Sequence, residues 1–151
     1  IKEIFAHQPQ HTGTDISGAV GFLGRVCRKR STAFVISDFI EPRGAALVDR
    51  QMRSVARKHE LIQILISDPG EFRLPAGGIV TVQDLESGRL LQLDASNSKT
   101  RQAYAQSRQQ AYQAITDQFK AARLDCIEIS TADSTADALS RYFRLRERRK
   151  R

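Results

Sequence analysis

Ala33-Phe34-Val35-Ile36-Ser37-Asp38 is a short apolar, partly β-branched run that ends on a carboxylate. A run of this length bounded by polar residues reads as a buried strand. Upstream, Gly13-Thr14-Asp15-Ile16 reads as a loop that opens a helix with a hydroxyl. Ile16, Ala19, Val20, Leu23, Val26 and Cys27 follow at helical spacing, which predicts a helix over residues 15–29. Thr14 or Asp15 can cap it by accepting an orphan backbone N–H. Arg28, Lys29 and Arg30 stand at its end, where cations suit the helix dipole.

The pattern repeats downstream. Pro42 and Gly44 punctuate a second helix, expected over 44–59, and Leu61-Ile62-Gln63-Ile64-Leu65-Ile66 forms a second buried strand closed by Asp68-Pro69-Gly70. Strands that alternate with helices imply parallel pairing. The middle of the chain departs from this rhythm. After the turn-rich Leu74-Pro75-Ala76-Gly77-Gly78, two apolar runs at 79–82 and 90–93 flank Asp84-Leu85-Glu86-Ser87-Gly88, and together they read as an inserted β-hairpin. Ser96-Asn97-Ser98 caps a long helix over 98–122 with a seam of Tyr104, Ala111, Tyr112, Ile115, Phe119 and Ala122. A third core strand spans 126–129, and Ser134-Thr135-Ala136-Asp137 opens a last helix.

Composition bounds the function. The 151 residues suit a single domain, and the start lacks both an initiator Met and a secretory signal, so the chain reads as a piece of a longer protein. The net charge of +7 is concentrated at the end, since residues 141–151 carry +6 and the remaining body only +1. A nucleic-acid-binding body would carry a basic stripe on the fold itself, so nucleic acid is not the expected partner. The basic end, taken as a tail over 146–151, suits an acidic protein surface or anionic lipid. Cys27 and Cys126 form no CxxC pair and read as reduced packing residues, in keeping with a cytoplasmic location.

Candidate chemistry is sparse. Asp38 and Asp68 follow strands, and ligands of open α/β sheets gather beyond the carboxyl ends of strands. Thr14 with Asp38 would offer a hydroxyl and a carboxylate to a hard cation such as Mg²⁺. Either residue can equally serve only as a cap or turn. A metal-dependent phosphoester or nucleic-acid hydrolase would need Asp38, Asp68 and Asp84 to converge on one ion. Glu71, Asp84 and Glu86 surround the hairpin, where acids are usually solvated. His7, His11 and His59 share no metal spacing, and His59 reads as a helix-end residue. No nucleophile elbow, P-loop or dinucleotide fingerprint is present.

The ordered series Gly13-Thr14-Asp15-Ile16, Val35-Ile36-Ser37-Asp38-Phe39, His59-Glu60-Leu61, Asp68-Pro69-Gly70-Glu71, Leu74-Pro75-Ala76-Gly77-Gly78, Asp84-Leu85-Glu86-Ser87-Gly88 and Tyr104 resembles the bacterial domain-of-unknown-function family fifty-eight over nearly the whole chain. The resemblance implies a Rossmann-like parallel sheet of the von Willebrand factor A type with the hairpin inserted. Residues 1–145 would then be the C-terminal part of one such domain, with its N-terminal strands missing and the edge beside Asp38 covered by them or by another chain. By the same resemblance, Thr14 and Asp38 match two positions of a metal-ion-dependent adhesion site for Mg²⁺ or Mn²⁺, while its D-x-S-x-S loop is absent. The implied role is a non-enzymatic adaptor that works with a MoxR-type AAA+ ATPase in protein assembly or maturation.

Overall fold

A computed structural model describes Ala6 and residues 14–40, 47–83 and 89–149. Helix α1 (Ile16–Val26) leads into β1 (Thr32–Ser37), α2 (Arg50–Lys58) into β2 (Glu60–Ser67), and a 3₁₀ turn (Pro69–Phe72) follows. The hairpin strands β3 (Ile79–Gln83) and β4 (Leu90–Asp94) precede the long α3 (Ser98–Ala121), β5 (Asp125–Ser130) and α4 (Thr135–Arg149). Strands β1, β2 and β5 form a parallel sheet in the order β1-β2-β5, and β3 pairs antiparallel with β4 in a separate sheet. The chain is therefore mixed α/β with the expected parallel core and hairpin.

The two faces of the sheet bury different sets of residues. On one face Leu61 and Leu65 of β2 meet Ile16 and Val20 of α1, Met52 and Val55 of α2, and Phe119 of α3. On the other, Ile62 and Ile64 join Ile127, Ile129 and Ala138, so α4 covers β2 and β5. Gly24 lets α1 approach α2, because a Cβ there would stand 2.7 Å from the Val55 side chain.

Several local expectations change. The first helix stops at Val26 rather than near 29, and Cys27 is its C-cap. The second begins at Arg50, because the Asp49 carboxylate accepts the Met52 N–H and caps it there. β1 is not buried on both faces. Its residues alternate, and Phe34 and Ile36 are 45% and 62% exposed on the side that α4 does not reach. Among the described residues β1 pairs only with β2. On α3 the expected seam residue Ala111 is exposed, while Thr116 is buried with its hydroxyl donating to the Gln113 carbonyl. That local bond satisfies the hydroxyl and lets a polar residue take a core position.

The boundary expected at residue 145 falls inside α4, which runs through Arg149. Arg146 pairs with Glu60 at the start of β2, and Tyr142 donates to Asp125. These contacts hold part of the basic end against the sheet. No helix among the described residues is long and apolar enough to cross a membrane.

Candidate functional site

Helices α1 and α2 each run back along the sheet before the strand that follows them. Their N-termini therefore lie at its carboxyl end, beside the ends of β1, β2 and β5. Asp15 caps α1 by accepting the Gly18 N–H at 2.7 Å, which settles the cap in favour of Asp15 over Thr14. The exposed Thr14 stands immediately before it. Asp49 caps α2 and also accepts the Ser17 hydroxyl, tying the two N-termini together. Burial pushes the Asp49 carboxyl up, but the Met52 N–H and Ser17 hydroxyl outweigh it and hold it below the usual 3.8.

Asp38 occupies a tight turn at the end of β1. Its Oδ1 accepts the Ile40 N–H at 3.2 Å and the Ser37 hydroxyl at 3.3 Å, while Ser37 Oγ accepts the Phe39 N–H at 3.0 Å. Ser37 is thus a structural partner of the turn, as expected. Phe39 sits at φ 55°, a left-handed conformation costly for a bulky residue. Its ring is 1% exposed and stacks edge-on against Phe119 at 4.9 Å, and this packing holds the strained turn. The turn drives Phe39 into the core and leaves the Asp38 carboxyl exposed, with no hydrogen bond to Oδ2 among the described residues.

Asp68 ends β2 in a similar way. Its Oδ1 accepts the Gly70 N–H at 2.7 Å, and its other oxygen accepts the hydroxyl of Thr131, beyond β5. The Thr131 hydroxyl and then the Gly70 N–H hold this carboxyl below the usual range. No three His, Cys, Asp or Glu side chains among the described residues gather so as to hold a metal ion. Asp84 and Glu86, together with His7 and His11, lie outside the described residues. His59 closes α2 as expected and is buried.

A cavity of about 250 Å³ opens at this same end of the sheet. Asp38, Phe39, Ile66, Phe72, Arg108 and Ile115 line it, drawn from the turn after β1, β2, the 3₁₀ turn and α3. Tyr112 lies one turn beyond Arg108 and donates to Glu128 at 2.7 Å; burial, reinforced by that carboxylate, pushes its phenol well above the ordinary value. Burial also pushes the Cys126 thiol up to about 11, which keeps it protonated and unreactive at neutral pH. Arg108 is the residue that sequence reasoning missed. Its position on the same helical face as Tyr112 and Ile115 was the available signal.

A 74-residue stretch, 49% of the chain, is 39% identical to the uncharacterised protein Rv1480 of Mycobacterium tuberculosis and covers 22% of it. The same extent is 36% identical to the uncharacterised protein MAV169 of Mycobacterium avium, covering 42% of that protein. The chain therefore matches less than half the length of these curated relatives. No solved structure matches it. Residues 1–114 fit the profile described as "Protein of unknown function DUF58", and the chain belongs to that family.

Proposed function

We propose that this chain is a non-enzymatic protein-interaction module whose working end is the carboxyl end of the parallel sheet. In this proposal it forms part of a von Willebrand factor A-like domain in the cytoplasm and acts with a MoxR-type AAA+ ATPase in protein assembly or maturation. The observation that carries the proposal is the turn at Asp38. Backbone strain at Phe39 and two hydrogen bonds on Oδ1 orient an exposed carboxylate at the sheet mouth and leave Oδ2 without a donor among the described residues.

The donor chemistry suits a hard cation. Asp38 Oδ2 is an oxygen donor at the end of β1, the Thr14 hydroxyl would be a second, and Mg²⁺ or Mn²⁺ takes such ligands and retains several waters. In this role Asp38 and Thr14 would hold the ion, directly or through water, and the ion would supply a position for a carboxylate from a partner protein. Two protein oxygens make a weak site, which suits a reversible contact.

Calorimetric titration of the intact protein with Mg²⁺ and Mn²⁺ tests this. Heat that saturates in the wild type and disappears in Asp38→Ala is the expected result. Wild type and variant giving the same trace would remove the metal from the proposal. Co-purification with the ATPase, compared between wild type and Asp38→Ala, tests the partner separately.

A further inference from the structure

We propose that the outer edge of β5 takes up an extended acidic segment of a partner protein as an added strand. The site begins at the amino end of the sheet, away from Asp38, and does not rest on the cation proposed there. β5 ends the parallel sheet, and among the described residues it pairs only with β2. An edge strand presents backbone N–H and C=O groups along its free side, and a second strand satisfies them.

A cavity of about 550 Å³ lies at that free side. Its place follows from its walls. Thr116 and Lys120 come from α3, which packs on one face of the sheet through Phe119. Tyr142 and Leu145 come from α4, which packs on the other face through Ala138. Asp125 and Cys126 of β5 both line the cavity, although successive strand residues face opposite sides of a sheet. A cavity that touches both helices and both faces of the last strand lies across the edge of that strand. The walls are fixed by two tyrosines. Tyr142 of α4 donates to Asp125 at 2.7 Å, and Tyr112 of α3 donates to Glu128 at 2.7 Å. These bonds tie both helices to β5 and engage the two acids of the cavity.

Charge selects the occupant. Lys120 and Arg123 line the cavity and are exposed. Lys120 pairs with the exposed Asp117 at 3.8 Å, a contact worth little in water. Arg141 and Arg148 are exposed on the same face of α4 as Leu145, one turn before it and one after. Neither makes an ion pair among the described residues, whereas Arg146 is already paired with Glu60. These cations ring a slot whose own acids are engaged, so a strand carrying carboxylates is drawn in and a basic one repelled. Leu124 and the 51% exposed Leu145 add an apolar strip. Side chains of a strand alternate, so a segment alternating apolar and acidic residues suits both features. Nucleic acid or anionic lipid would answer the cations but leave the backbone edge unused.

The test measures fluorescence anisotropy on the intact protein, with a labelled peptide that alternates valine and glutamate over the length of β5. Saturable binding with a Kd below about 1 mM is expected. Replacing each glutamate of the peptide by lysine should abolish it. The paired substitutions Lys120→Glu and Arg148→Glu in the protein should weaken it by about tenfold or more. Both positions are exposed, so the circular dichroism spectrum should not change. Two N-methylated peptides need no protein variant, one methylated on the valine amides and the other on the glutamate amides. Successive N–H groups of a strand point to opposite sides, so one of the two should lose about tenfold or more and the other should bind like the parent peptide. Equal binding of the two leaves a charge contact without strand pairing and overturns the proposal. So does an affinity unchanged by charge reversal, lysine peptide binding as tightly as the glutamate one, or no saturation by the glutamate peptide up to about 1 mM. Oligothymidylate or phosphatidylserine vesicles that bind where the peptide does not would assign the cations to nucleic acid or lipid, and overturn it as well.

Discussion

Gln63 offers an unusual opportunity, because replacing it should make the protein more stable. It lies in the middle of β2, is 0% exposed, and neither its Nε2 nor its Oε1 has a hydrogen-bond partner among the described residues. In register it sits between Val35 of β1 and Cys126 of β5, and Leu61 and Leu65 precede and follow it on the same face. Its amide is thus surrounded by groups that cannot replace lost water. Leaving such a group unpaired costs about 1–3 kcal/mol, whereas an apolar side chain of similar shape pays no such penalty. Gln63→Met keeps the length and volume of the side chain. The variant is expected to gain about 1–3 kcal/mol. At about 2–4 °C per kcal/mol for a domain of this size, the melting temperature should rise by roughly 2–12 °C. Urea unfolding should show a higher midpoint at an unchanged slope. Leu65→Ala, on the same face, calibrates the assay with an expected loss of about 2–5 kcal/mol. If Gln63→Met and Gln63→Leu both lose more than about 1 kcal/mol, the amide is satisfied in solution and the reasoning fails.

Three further outcomes follow from the helix N-termini and the sheet end. Asp49→Ala should cost about 1–2 kcal/mol in chemical denaturation, because it removes the α2 cap, while Asp49→Asn should retain most of the cap. Asp49 and Asp68 both have folded values below the ordinary 3.8, so they stabilise the fold fully above that value, and the contribution is lost as pH falls through the lower folded values. A stability profile from pH 7 downward should therefore drop below about pH 4, and Thr131→Val should flatten the drop by removing the donor that holds Asp68 down. Phe39→Gly should relieve the left-handed backbone yet still destabilise the protein in a thermal melt, since loss of a buried ring costs about 3–5 kcal/mol and exceeds the relief.

Much of the architecture is legible in the chain. Ile16, Val20 and Leu23 at helical spacing, and the apolar runs around Phe34, Ile64 and Ile127, are local periodicities that mark elements wherever they occur. The resemblance to the family also stands, because it rests on an ordered series of motifs along the chain. Helix starts were harder to read. The second helix begins where Asp49 finds the Met52 N–H, beyond the Gly44 start that the Pro42 and Gly44 punctuation suggested.

The chain by itself determined that helices alternate with strands, that a hairpin interrupts them, and that Asp38 and Asp68 end strands. Only the tertiary structure decided which faces are covered. β1 looked buried in sequence, yet Phe34 and Ile36 stand exposed because α4 packs over β2 and β5 and not over β1. It also brought Thr131 onto Asp68 across 63 residues and set Arg108 into one cavity with Asp38 and Glu71. The physical reason is range. Periodicity and capping depend on neighbours a few residues away, whereas burial, pairing and cavities depend on which elements the parallel crossovers bring together.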